Sequence, residues 1–491
     1  MTERVADRRV AAGAAGLIAL WAGLLAEPSG TSMADSVLLA TMRLADTYSW
    51  TLSDESPSVV HRTLAYDVSV GVDGMAYSGV GPGASVIALP FWIVLGPALE
   101  RLPAPTTVRV ERFYRANARA LGVEPASHFE ALRVLQLALS WLLVVPLLGL
   151  SVYRTWLRWP DAGWGVVAAV LGTPLLYYAG FYSRGVLVTL LLWHAWLNLE
   201  SNTRNSWTLG WAGFLLGLCL TVDYPSVLAV GATVLFVLWR EGRKSVVPLV
   251  LPIAGAIGLL ALYHTQCFGA PWETPYGNRF WPSDSGGALA LRDFEQGQFS
   301  VFGLPSVRVA LLLLIGTAKG LLFHAPAALF GAVGWAKCSD PRARFLLGVA
   351  LIYLLFNAAL GAHLPQEQAE VVWGGLPALW GPRHLLPVLP GLALGCTLWR
   401  GWSRAVAVCV SCVPNVLAAM FSHRLMVTPP FEEELQAPAL FVLKQLVVHG
   451  PEVPLFASQS AALQLSLLGA ALGITVWGIH SIRPRAKPHR K

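Results

Sequence analysis

The sequence predicts an all-α polytopic membrane protein with about twelve transmembrane helices. Of its 491 residues, 55% are hydrophobic and only 13% are charged, whereas a soluble domain carries about 25% charged residues. Twenty Trp and 33 Pro in so apolar a chain are typical of interfacial aromatic belts and interrupted membrane helices. This composition excludes an ordinary soluble enzyme, a disordered chain and a fibrous repeat.

Apolar runs of helical length recur along the whole chain. The first, 10–26, follows a basic start and is interpreted as an uncleaved span, although a cleaved signal peptide would show a similar pattern. Shorter apolar stretches at 84–99, 306–317 and 438–448 are interpreted as re-entrant or interfacial helices on the outer side. The other spans are predicted at 132–153, 163–180, 184–199, 207–222, 225–239, 246–264, 320–336, 345–361, 384–399, 405–422 and 460–480.

The charged residues divide between the two sides of this layout. With both termini cytoplasmic, the cytoplasmic segments hold more than half of the 35 Lys and Arg but fewer than a quarter of the 28 Asp and Glu. This asymmetry follows the positive-inside rule and explains the net charge of +7 without nucleic acid. We predict a single transmembrane domain over 1–491 in the inner (plasma) membrane, with a basic cytoplasmic tail at 483–491 that meets membrane lipids.

The outer side of the membrane is where we expect function. Long loops fall there, at 27–131, 265–319, 362–383 and 423–459. Pumps and transporters place ionisable residues deep within their spans, whereas Arg184 and Asp223 here fall near predicted outer ends. Polar residues cluster in the first outer loop and in the loops that face it. This layout is typical of an enzyme that acts at the membrane surface on a substrate held in the bilayer.

The first outer loop contains the candidate acids. Asp35 follows the first span, where a carboxylate at the membrane surface can take the proton of an attacking hydroxyl; the alternative is an N-cap of a helix over 36–44. Asp73 and Tyr77 are candidates to bind sugar hydroxyls, or else form a turn with a structural tyrosine. The acidic pair at 54–55 is either a partial site for a divalent cation or a solvated loop.

Basic residues occupy matching positions later in the chain. Arg383 and His384 would lie at the outer end of a span, where a planar guanidinium suits a phosphate; the alternative is an arginine that snorkels to the interface. Lys319 and His324 precede another span in a similar way. Each is a second phosphate contact or an ordinary interface anchor.

These stretches together form an ordered set of motifs. After the acid of the first loop come DGMAYSGVGPG at 73–83, FGAP at 268–271, KGL at 319–321 followed by Pro326, and WGPR at 380–383. The set resembles bacterial polytopic glycosyltransferases of the GT-C fold class, a group related to dolichyl-phosphate-mannose protein mannosyltransferases and aminoarabinose transferases. The resemblance extends over most of the chain through the layout of its spans, and over about thirty residues through motifs.

The resemblance implies a GT-C-like fold and an inverting transfer of a sugar from a polyprenyl-phosphate donor. The acceptor would be an envelope glycan, lipid or protein on the outer face. On this chain the resemblance implies Asp35 as the base, with Asp54 or Asp73 as alternatives, and Arg383 as the residue that holds the departing phosphate. A lipid donor requires no nucleotide-binding loop. No cofactor or metal ligand is assigned, and a divalent cation is left open.

Two other function classes stay open at this point. A transporter or lipid flippase would also be a multi-span protein, but it would require polar groups within the spans. An inactive relative that binds or scaffolds envelope lipids would keep an outer groove without a complete catalytic set. The feature that separates these classes is whether the first-loop acid and the late arginine meet in one outer cavity.

Overall fold

The described part of the chain is mostly helical, as predicted. The computed structural model describes residues 2–26, 32–54, 68–99, 128–159, 162–200, 205–278, 280–282, 288–290, 303–317, 319–360 and 380–419. Two short antiparallel hairpins accompany the helices. One pairs β1 (Val68–Val70) with β2 (Ala76–Ser78), and the other pairs β3 (Phe280–Pro282) with β4 (Ala288–Ala290).

The helices follow the order of the apolar runs. They are α1 (Thr2–Leu24), α2 (Ser32–Thr47), α3 (Gly83–Leu99), α4 (His128–Leu139), α5 (Val145–Trp156), α6 (Ala162–Val170), α7 (Leu175–Ala179), α8 (Arg184–Leu199), α9 (Ser206–Val222), α10 (Val227–Glu241), α11 (Arg243–Phe268), α12 (Val307–Ile315), α13 (Leu321–His324), α14 (Pro326–Ala336), α15 (Pro341–Ala359), α16 (Leu389–Leu394) and α17 (Trp402–Ala419). A π-helical segment, Ser140–Val144, joins α4 to α5, and 3-10 turns lie at Tyr224–Ser226, Pro275–Asn278, Arg383–Leu385 and Gly395–Leu398.

Four of the described helices are long and apolar enough to cross a membrane. They are Val134–Trp156, which combines the end of α4 with α5, and α11, α15 and α17. Shorter apolar helices occur at Gly83–Ala98, Ser206–Val222, Pro326–Ala336 and Leu389–Leu398. These helices are consistent with a membrane protein, and the count of twelve spans stays a prediction. The span at 460–480, the interfacial helix at 438–448 and the tail at 483–491 lie outside the described residues.

Prolines interrupt three of the predicted spans. The run at 163–180 is two helices, α6 and α7, with Pro174 between them, and the run at 320–336 is α13 and α14, divided before Pro326. The run at 384–399 alternates between 3-10 and α geometry. A proline lacks a backbone N–H and disfavours helical geometry in the residue before it. In contrast, α3 continues as a helix through both Pro90 and Pro97.

Glycines allow some helices to pack with their backbones almost in contact. A Cβ added at Gly213 of α9 would lie 2.1 Å from the carbonyl oxygen of Leu249 in α11. At Gly331 of α14 it would lie 2.0 Å from the carbonyl oxygen of Leu392 in α16. Small residues at such contacts are typical of helix packing in membranes, where van der Waals contact rather than water exclusion drives association.

The loops that the charge pattern assigns to the cytoplasm meet at one end of the helices. Glu200, after the end of α8, pairs with Arg158, with 3.9 Å between Oε2 and Nε. The charges of Arg240 and Arg342 also act on Glu200. Arg184 begins α8, and the 16 residues of that helix place it about 24 Å away at the other end. The candidate site lies at this second end.

Candidate functional site

A cleft opens at the end of the helices where α8 begins and α9 ends. Six segments line it: α2 at Val37, the chain around Val80 and Ala84, the stretch 178–185, the turn from Asp223 to Pro225, α15 at Tyr353, and the stretch 383–387. The space within it, including the open mouth, is about 790 Å³. The lining thus combines segments that are far apart in sequence.

Arg383 and His384 both line this cleft. The chain before them is fixed by Trp380, which is fully buried. The indole Nε1–H of Trp380 donates to Oδ1 of Asn415 at 2.8 Å, and the Trp380 carbonyl oxygen accepts from the Tyr178 hydroxyl at 2.9 Å. The buried indole therefore fixes the start of the turn that presents Arg383 and His384 to the cleft.

Lys319 lies close to this pair without itself lining the cleft. Its side chain is buried, with 7% of the residue exposed. Burial, together with the positive charge of Arg383, lowers the pKa of Lys319 to about 7. Two cationic side chains placed near each other in a poorly hydrated site repel one another. An anion that binds beside them would relieve this repulsion.

His324 supports this region from within the core. The residue is fully buried, and its Nδ1 lies 3.0 Å from the carbonyl oxygen of Gly320, so it donates there in the matching tautomer. Its ring meets the ring of Trp380 edge-on, with 4.7 Å between centroids. The structure therefore places His324 behind the cleft, in contact with the residue that fixes the approach to Arg383.

Arg184 and Asp223 form an ion pair in the cleft. Nη1 of Arg184 lies 3.1 Å from Oδ1 of Asp223, and both side chains are less than 15% exposed. Arg184 also donates to the hydroxyl of Tyr276. The sequence pattern places both charged residues at the outer ends of predicted spans, but it does not predict that either belongs to the site. Their shared position at the same predicted side was the signal that could have identified them.

Asp73 and Tyr77 lie in the first hairpin and do not line the cleft. The Tyr77 hydroxyl donates to Oδ2 of Asp73 at 2.8 Å, and the backbone N–H of Met75 donates to its Oδ1 at 3.0 Å. Burial and the bond to Asp73 raise the pKa of Tyr77. Gly74 has a φ of 77°, as the tight turn requires. This arrangement is the turn with a structural tyrosine that the sequence offered as the alternative.

Asp35 lies within the first turn of α2, because the helix begins at Ser32. The N-cap alternative is therefore wrong, since an N-cap residue precedes the helix. The side chain of Asp35 lies outside the described residues. Two residues further on, Val37 lines the cleft, and its carbonyl oxygen accepts from the hydroxyl of Ser85 at 2.9 Å. The helix that carries Asp35 is thus part of the wall of the cleft.

The described residues offer no cluster of three or more His, Cys, Asp or Glu for a metal ion. Asp54 pairs with Arg43, with 2.5 Å between Oδ1 and Nη2. Glu55, its neighbour in the candidate acidic pair, lies outside the described residues. A divalent cation therefore has no assigned ligands in this part of the chain.

Comparisons with known proteins identified no relative of this chain. No protein-family model matches the chain, and no match was found among curated proteins or solved structures. The proposed function therefore depends on the chemistry of the cleft and on the sequence motifs.

Proposed function

We propose that the chain is an integral membrane glycosyltransferase that moves a sugar from a polyprenyl-phosphate donor to an acceptor hydroxyl. The observation that carries the proposal is the meeting of Arg383 and His384 with helix α2 in one cleft. Helix α2 carries Asp35. Nearly 350 positions separate this acid from Arg383 in the sequence, and both belong to the motifs that resemble GT-C glycosyltransferases.

The chemistry assigned to these residues is a single displacement. The acceptor oxygen attacks the anomeric carbon from the side opposite the phosphate, and Asp35 takes the acceptor proton. The bond between the anomeric carbon and the phosphate oxygen breaks, and its electron pair leaves with polyprenyl phosphate. The guanidinium of Arg383 stabilises the additional negative charge that develops on this phosphate. The sugar is transferred with inverted configuration.

The proposed setting is the extracytoplasmic face of the inner membrane. The prenyl chain of the donor would lie among lipids, and its phosphate would reach the cleft at the ends of the apolar helices. The acceptor is proposed to be an envelope glycan, lipid or protein. The ion cluster around Glu200 lies at the opposite end of α8 from the cleft, as a cytoplasmic side rich in arginine would require.

Loss of the Arg383 guanidinium should weaken binding of polyprenyl monophosphate by about tenfold or more, because a hydrogen bond to a charged group contributes about 1.5–3 kcal/mol. The measurement is microscale thermophoresis of purified wild type and Arg383→Gln in detergent. Neutral polyprenol serves as the ligand control, and Arg308→Gln, an exposed arginine of α12, serves as the variant control. Equal affinity of wild type for the phosphate and the alcohol would contradict the proposal.

The affinity for a lipid phosphodiester should fall as the pH rises through about 7. Lys319 is charged below its lowered pKa and neutral above it, and only the charged form attracts the anion. The fall approaches tenfold per pH unit, because binding then requires uptake of a proton. A polyprenyl phosphosugar is the suitable probe, since its phosphodiester keeps one charge throughout. Titrations from pH 6 to 9 should show this fall in wild type.

The same titration of Lys319→Met should be almost flat and weak at every pH, since the variant has no ammonium. His384→Gln serves as the comparison variant, because histidine is the other side chain type that changes charge near neutral pH. A pH dependence that disappears in His384→Gln and persists in Lys319→Met would contradict the role given to Lys319.

Sugar transfer itself separates the proposed enzyme from the alternatives. The full chain is reconstituted in liposomes with radiolabelled polyprenyl phosphosugars and an envelope extract as the acceptor. A glycosyltransferase moves the label from the lipid to the acceptor and releases polyprenyl phosphate. A flippase moves the intact lipid between leaflets, and an inactive lipid-binding relative leaves it unchanged. Either of the last two outcomes would overturn the proposal.

A further inference from the structure

The cleft contains hydroxyl groups that the described protein leaves unsatisfied. Tyr353 lies on α15, in an apolar run, and only 1% of the residue is exposed. The residue lines the cleft, and its hydroxyl has no hydrogen-bond partner within the described part of the chain. A buried hydroxyl without a partner is unfavourable. The position therefore favours a ligand that supplies one.

Ser183 provides a second such group. It precedes α8 with the extended geometry of an N-cap residue, φ −142° and ψ 154°. A serine at this position usually accepts a hydrogen bond from an N–H of the first helical turn, but this side chain makes none. Its buried Oγ has no other partner among the described residues, and Ser183 lines the cleft. The Ser183 hydroxyl therefore makes no capping bond and can bind a ligand in the cleft.

The Arg184–Asp223 pair completes the polar lining. Among the described residues that line the cleft, Asp223 is the one carboxylate, and its charge acts on Tyr353. Ion pairing with Arg184 at 3.1 Å makes the two residues neutral together. A neutral pair that offers an acceptor beside donors suits a hydroxyl group. It gives no net attraction to a charged amine or carboxylate.

We propose that Ser183, Asp223 and Tyr353 form a subsite for the donor's sugar, and that this sugar is an uncharged hexose or pentose. The inference rests on the proposed function, because it takes the ligand to be a polyprenyl phosphosugar. In that ligand the sugar is joined directly to the phosphate. The subsite shares one cleft with Arg383 and His384, to which the phosphate is assigned. The donor sugar therefore fits the subsite better than a separate acceptor.

The test compares two affinities for each protein. Binding of polyprenyl monophosphate and of polyprenyl phosphoglucose or phosphomannose is measured on the purified full chain in detergent. Wild type should bind at least one of these two phosphosugars, whose sugar is uncharged, about tenfold more tightly than the bare phosphate. Tyr353→Phe and Ser183→Ala should each reduce this preference about fivefold, the loss of one hydrogen bond, and leave the affinity for the bare phosphate unchanged. Asp223→Asn should abolish the preference.

Matched controls separate this subsite from a general effect on folding. Ser226→Ala removes another buried hydroxyl that has no partner among the described residues but that does not line the cleft, and it should leave the preference intact. A donor that carries an amino sugar should bind no more tightly than the bare phosphate. If wild type prefers polyprenyl phosphate to polyprenol but binds the phosphoglucose and phosphomannose lipids no more tightly than polyprenyl phosphate, this subsite is overturned and the proposed function stands. If it does not prefer the phosphate to the alcohol, the proposed function itself fails.

Discussion

Replacing Asp35 by Asn should reduce the rate of sugar transfer by about a thousandfold, within the range that general base catalysis contributes. An amide cannot accept the proton that the acceptor hydroxyl must lose as it attacks the anomeric carbon. Because the carboxylate is proposed to act on the acceptor, the affinity for polyprenyl phosphate should stay within about twofold of wild type. Initial rates with a radiolabelled donor, measured beside the binding titration, give both values.

Two other first-loop acids provide controls for this result. Asp54 pairs with Arg43 and Asp73 accepts two hydrogen bonds inside its hairpin, so Asp54→Asn and Asp73→Asn should keep most of the transfer rate. A large loss in one of these variants, with normal turnover in Asp35→Asn, would move the role of base to that residue. Full turnover in all three variants would remove these three acids from the mechanism.

Gly331→Ala should lower the free energy of unfolding by about 3 kcal/mol, the upper part of the usual range for overpacking. Its new methyl group would lie 2.0 Å from the carbonyl oxygen of Leu392. That oxygen belongs to a backbone and cannot rotate away as a side chain would. The helices α14 and α16 must therefore separate, with loss of their close packing. Thermal unfolding in detergent, followed by size-exclusion chromatography, measures the effect.

The matched control is Gly231→Ala in α10, where an added Cβ meets no atom within 4 Å. This variant should be stabilised by about 1 kcal/mol, because alanine is a better helix former than glycine. Equal unfolding temperatures for the two variants would show that α14 and α16 do not approach as closely as described.

The bounds of several helices could be predicted from the sequence because the signals are local. The run predicted at 184–199 is α8, and the run at 207–222 is α9 with one more residue at its start. Asn205 caps α9 through a bond from the N–H of Thr208 at 2.9 Å. Where an apolar run has a polar residue at each end, those residues mark where the helix begins and ends.

The sequence does not predict the helix interruptions at Pro174 and Pro326. Proline ends some helices and is accommodated in others, as Pro90 and Pro97 of α3 show. Which outcome occurs depends on the neighbours that pack against the proline and satisfy the freed carbonyl groups. Mean apolarity over a window carries no information about those neighbours.

The sequence by itself determined that the chain forms apolar helices and that Arg383 stands beside a break in an apolar run. Composition and local spacing are sufficient for such properties. Only the tertiary structure decided that Tyr353 belongs to the same cleft as Asp223, and that Asp73 is held in a hairpin away from it. A tyrosine within an apolar run resembles any core residue, and 130 positions separate it from Asp223. Their meeting depends on how the helices pack, since packing turns distant residues into neighbours.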